Sequence, residues 1–194
     1  MTTKILRLCA LLLLPFTLLL SGCDRSINQQ LAIQEAVEKT LGISGELFAI
    51  RFNRSLADVL ADHKDEDAAR MAPLYVIDVS AMENNKESYV FQTEVGPART
   101  SILGKYASNR ELKSVGVLLT QRSEGARAEF YLCAETMSRV LTNGPKDKLP
   151  DLIKRLTENA LNNPGQQMTQ VIGDKVLSVG IVQSGVLFQI EHQQ

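Results

Sequence analysis

The densest run of charge in the chain is Asp58, Asp62, Asp65, Glu66 and Asp67. Asp58, Asp62 and Glu66 stand at i, i+4 and i+8, so a helix sets all three on one face. Such a face can be solvated, can dock a basic partner, or can gather a divalent cation. The spacing is not that of a calcium-binding loop, no turn glycine is present, and Lys64 and Arg70 blunt the field. A solvated helix face is the first expectation and a partner-docking face the sharper one. His63 and His192 are the two imidazoles. His192 lies third from the carboxyl end, where chains fray. His63 follows Leu56, Val59 and Leu60 at helical spacing, which makes it a packing histidine rather than a base or a metal ligand.

Other chemistries are short of parts. The chain has no G-x-G-x-x-G, P-loop, G-x-S-x-G or H-E-x-x-H signature, and neither C-x-x-C nor S-x-x-K follows residue 23. Carboxylates paired for glycoside hydrolysis depend on a separation in space, and the absence of tryptophan lowers that idea. With 21 basic against 22 acidic side chains, no nucleic-acid footprint is present. Tyr75, Tyr89, Phe91, Phe130 and Tyr131 fall on predicted strands. They pack a core or, as the alternative, line a ligand cleft between sheet and helices. No cofactor and no metal site is expected.

The amino terminus carries an address. Lys4 and Arg7 precede an apolar stretch, Leu8 to Leu20, too short to span a bilayer, which takes roughly 20 apolar residues. The run Leu20-Ser21-Gly22-Cys23 follows. It resembles the lipobox of bacterial lipoproteins at all four positions. The resemblance covers the first two dozen residues and implies that residues 1–22 are a signal peptide. By the same resemblance Cys23 receives a diacylglyceryl group on its thiol and, after cleavage, an N-acyl chain, giving a mature chain of 172 residues. Asp24 resembles the signal that retains such proteins in the inner membrane of enterobacteria. The expected location is therefore the periplasmic face of a bacterial membrane, inner rather than outer.

That reading leaves Cys133 as the one thiol outside the signal and the anchor, so no internal disulfide is expected although export implies an oxidising compartment. Cys133 sits in the apolar run Phe130 to Cys133 and is expected in the core. Loss of Lys4 and Arg7 leaves 19 basic against 22 acidic residues, which argues for simple tethering over a polybasic membrane-binding face.

Hydrophobic periodicity predicts a helix over Ile27–Leu41, a short strand over Gly45–Phe52 and a helix from Ser55 closed by Pro73. Leu74–Val79 and Tyr89–Glu94 read as a hairpin around Glu83-Asn84-Asn85-Lys86. Residues 98–113 read as a short helix. Val115–Thr120 and Arg127–Cys133 read as a second hairpin, followed by helices over Glu135–Leu141 and Pro150–Leu161. Met168–Ile172, Lys175–Val182 and Val186–Glu191 form a final meander. Residues 23–25 are a short tether and 26–194 one periplasmic domain, α+β in class, with a largely antiparallel sheet packed by several helices. Three functions compete on this basis. The leading expectation is an interaction or accessory module of an envelope assembly. The alternative is a lipoprotein that binds a small periplasmic ligand. An enzyme with dispersed carboxylates comes third.

Overall fold

A computed structural model of the chain describes residues 38–64, 69–70, 72–80 and 89–193. The predicted helix 27–41 lies outside these except for its last four positions, which are not helical; the Leu41 amide donates to the Leu112 carbonyl at 2.7 Å. Ser44 then caps helix α1, Gly45–His63, its hydroxyl accepting from the Leu47 amide at 3.2 Å. This corrects the predicted strand over Gly45–Phe52. Phe48, Phe52, Leu56, Val59 and Leu60 form one unbroken buried stripe of helical period. Leu47 and Ile50, on the other side of the helix, are 40% and 47% exposed.

A 3-10 turn over Ala72–Tyr75, an irregular stretch over 76–78 and helical residues at 79–80 replace the predicted strand Leu74–Val79. Asn53 of α1 grips that stretch as a neighbouring strand would: Nδ2 donates to the Ile77 carbonyl at 2.9 Å and Oδ1 accepts from the Ile77 amide at 2.8 Å. Ile77 is thereby buried without joining the sheet. The predicted turn at Glu83–Lys86 lies outside the described residues.

Strands β1 (Val90–Val95), β2 (Thr100–Tyr106) and β3 (Leu112–Leu119) form an antiparallel meander. The short helix predicted within 98–113 is thus strand β2. Its alternating Thr100, Ile102, Gly104 and Tyr106 are all buried, a period of two that a helix cannot bury. Helix α2, Glu124–Leu141, follows, capped by Ser123 through the Ala126 amide. It overturns the predicted strand Arg127–Cys133 and absorbs the predicted helix 135–141. Ala126, Phe130, Cys133, Ala134, Met137 and Leu141 form a single helical stripe, and the apparent alternation through Ala128, Phe130 and Leu132 was a coincidence of short range.

Helix α3, Leu149–Asn162, begins with proline in its first turn and buries Leu149, Ile153, Leu156 and Ala160. Strands β4 (Met168–Ile172), β5 (Lys175–Val182) and β6 (Gly185–His192) complete the fold close to their predicted bounds. The six strands form one sheet in the order β1-β2-β3-β6-β5-β4, every pair antiparallel. The fold is a single-domain α+β architecture, with residues Lys39–Gln194 as one compact unit.

Register explains the layering. Ile102, Val117, Phe188 and Val179 pair across four strands and so share a face; all four are buried. Helices α2 and α3 pack on the sheet, α1 packs against α2, and Phe48, Phe52, Phe130, Met137 and Ile153 join them in one core. Each such large side chain taken from water contributes about 1.5–3 kcal/mol of transfer free energy. The opposite face carries Gln92, Leu103, Gly116, Gln189, Ser178 and Thr169 in one row across all six strands.

Candidate functional site

A cleft of about 640 Å³ opens in the helical layer. Leu60 and His63 border it from the end of α1, Tyr131 and Leu132 from α2, and Ile153 and Lys154 from α3, with Tyr75 and Pro97 closing a side. Helices leave such a gap where small residues meet: Gly125 and Ala128 line it on α2 where larger side chains would fill it. The walls are mainly apolar, yet two carboxylates of α2, Glu129 and Glu135, line the floor although they are only 4% and 2% exposed. Buried carboxylates are rare and need partners.

The two are satisfied in different ways. Glu135 lies between a guanidinium and an imidazole: Arg139 Nη2 donates to its Oε1 at 2.5 Å, and His63 Nε2 lies 2.7 Å from its Oε2. Arg139 also donates through Nη1 to Asp62 at 2.5 Å, so one guanidinium ties α2 to α1. Burial works against the charge of Arg139, but the hydrogen bonds to Asp62 and Glu135 outweigh it and raise its pKa. The same guanidinium holds the Asp62 carboxyl below its ordinary value of 3.8. The cleft runs on past His63 and Glu135 into a recess of about 410 Å³ that Arg139, Lys146 and Asp147 border. Arg139 Nε is buried without a hydrogen-bond partner among the described residues.

Glu129 meets only neutral donors. The Ala98 amide donates to Oε1 at 2.8 Å and the Thr100 hydroxyl to Oε2 at 2.9 Å. These bonds pin the β1–β2 turn, Gly96 to Arg99, against α2. Gly96 has φ +75°, and a Cβ there would stand 2.6–2.7 Å from the Tyr75 ring and the Glu129 carboxylate. Only glycine lets the turn approach so closely.

Of the acidic face read from the sequence, Asp58 is exposed, Asp62 is taken up by Arg139, and Glu66 lies outside the described residues. His63 does line the cleft, but its side chain is 46% exposed and held by Glu135. Among the described residues no cluster of His, Cys, Asp and Glu could hold a metal ion. Cys133 is buried, and burial, with a smaller push from Glu129, drives its thiol pKa far upward, which makes it inert packing. Of the aromatics, Tyr75 and Tyr131 line the cleft, Phe130 is core, Phe91 is buried on the sheet and Tyr89 is exposed. Burial raises the Tyr131 hydroxyl pKa, partly offset by a hydrogen bond with Thr157.

Sequence reasoning passed over Glu129, Glu135 and Arg139. The signal that finds Glu129 is a carboxylate set inside the apolar helical stripe Ala126, Glu129, Phe130, Cys133, where solvent cannot serve it. A second depression of about 500 Å³ lies on the other face of the sheet, among Gln92, Leu103, Ser114 and Gln189. Its one ionisable lining group, Lys105, is exposed. Among the described residues no helix is long and apolar enough to cross a membrane.

The arrangement is a mainly apolar cleft, with two buried carboxylates, in a single-domain α+β protein. No protein family, curated protein or solved structure matches the chain.

Proposed function

We propose that the chain is a periplasmic lipoprotein, tethered through acyl chains on Cys23, that works as a binding module for a small, largely apolar ligand. The cleft between the three helices carries this reading. Its volume of about 640 Å³ falls within the range of roughly 300–1,000 Å³ typical of small-molecule sites. Apolar walls with a few polar groups at one side are the usual make-up of such sites, the walls supplying affinity and the polar groups orientation. The lipobox supports the tether and Asp24 supports retention at the inner membrane. Two acyl signals give stable anchoring where one gives marginal binding.

Two experiments test the two halves. The Cys23→Ser chain should leave the membrane fraction unlipidated; a variant that fractionates and is processed like the parent removes the lipoprotein half. The lipidated chain in nanodiscs should bind phenylbutyl probes saturably above empty discs, and Ala128→Trp, which fills the cleft from its rim, should abolish that binding. Absence of saturable binding by any of them removes the ligand half.

A second reading, the accessory module of an envelope assembly, rests on the apolar side chains Leu47, Ile50, Leu74 and Val76 that stand exposed. Their mark would be a stoichiometric protein partner crosslinked through this surface. Smaller scattered apolar exposure is normal for any protein surface, so the cleft weighs more.

A further inference from the structure

We infer that the ligand of the cleft is a cation, an aryl or alkyl amine whose charged head sits beside Glu129 and whose apolar body lies along Tyr75, Tyr131 and Ile153. This rests on the binding-module reading and goes beyond it by fixing the charge of the ligand.

The inference follows from the charges around the cleft, taken one by one. Arg139 stands between Glu135 and Asp62, both in hydrogen-bond contact, with His63 on the other oxygen of Glu135. Asp151 and Lys154, three positions apart on α3, both line the cleft and carry opposite charges, although no ion pair joins them. That leaves Glu129. Among the described residues no arginine, lysine or histidine nitrogen stands within ion-pair distance of it. Its bonds come from a backbone amide and a hydroxyl, which satisfy its geometry but not its charge. A carboxylate only 4% exposed, without a countercharge, lining an apolar cleft, presents an attractive potential in a low dielectric to a cation that enters. An anionic head would meet Glu129 unscreened, and a neutral head would forgo the charge-assisted bond.

The test uses three probes that share one body and differ in the head: phenylbutylamine, phenylbutanol and phenylbutanoate. Each is titrated against the lipidated full chain in nanodiscs, with empty discs as the baseline and ligand-observed NMR as the readout. The amine should bind at least about tenfold tighter than the alcohol, and the carboxylate weakest of all. Glu129→Gln should erase the preference for the amine over the alcohol. Equal affinity for all three, or a preference for the carboxylate, overturns the inference and leaves the binding module standing. An amine preference that survives Glu129→Gln in a folded protein also overturns it. Absence of binding by all three removes the binding module as well. Should Glu129→Gln fail to fold, the head-group order on the parent chain, and its loss in Ala128→Trp, decides the matter.

Discussion

Two carboxylates on one helix, both almost wholly buried, do opposite work. Glu135 is an electrostatic rivet: with Arg139, Asp62 and His63 it ties α2 to the end of α1. Glu129 is a hydrogen-bonded bracket that holds the β1–β2 turn by an amide and a hydroxyl. The difference shows that burial alone does not tell what a charged residue is for. A buried carboxylate already matched to cations is closed to further charge, whereas one matched only by neutral donors remains open to it.

Removing charge from the rivet should have the largest effect. Glu135→Gln leaves Arg139, largely buried, with one exposed partner. The expected loss is about 3 kcal/mol, a fall in Tm of roughly 6–12 °C by circular dichroism. An unchanged Tm would make the rivet no stronger than a surface pair and collapse the contrast. Removing a donor from the bracket should cost less. Thr100→Val deletes one hydrogen bond from a neutral donor to the Glu129 carboxylate, at about 1.5 kcal/mol or roughly 3–6 °C, and should expose the turn at Pro97 to limited proteolysis. A loss as large as that of Glu135→Gln would mean that Glu129 depends on its donors as heavily as Glu135 depends on Arg139.

The smallest effect is confined to acid. The Asp62 pKa is depressed below 3.8 by Arg139, so its pair stabilises the fold above the unfolded value and the contribution is lost as pH falls through the folded one. Asp62→Asn should therefore melt slightly below the parent at neutral pH, and the two should converge below about pH 4. Asp62 is exposed, and the difference stays small because water screens it. A difference that persisted unchanged into acid would show that the side chain acts through shape and not through charge.

Legibility in the sequence was uneven along the chain for a physical reason. Strands β4, β5 and β6 were readable because short turns bearing Gly173 and Gly185, both at positive φ, mark where each β-branched run must reverse. In the region of α1 and α2 the signals compete. Phe48 and Phe52 belong to a helical stripe, yet the local apolar–polar alternation of Leu47 and Ala49 mimics a strand, and only the continuation to Leu56 and Leu60 decides between them. The same holds for Phe130, whose period is settled by Cys133, Met137 and Leu141 further on. The candidate site inherited this. A cleft between sheet and helices lined by strand aromatics was among the expectations; Tyr75 and Tyr131 line a cleft in the helical layer instead, from a 3-10 turn and from α2. Glu129, within the predicted strand Arg127–Cys133, could not be seen as buried until α2 was a helix.

The order of strands has a consequence for how the chain reaches this state. Each three-stranded meander closes through near neighbours, but the seam between them, β3 against β6, pairs Leu119 with Val186 and Val117 with Phe188, and joining such distant parts of the chain is slow. β6 is the last described strand to be synthesised, and it takes a central place in the sheet. Until it arrives, β3 presents an open edge with Val115 and Val117 uncovered, the kind of surface that adheres to other chains. Successful maturation then depends less on the stability of the finished protein than on how well that edge is shielded while the carboxyl-terminal strands are still on their way.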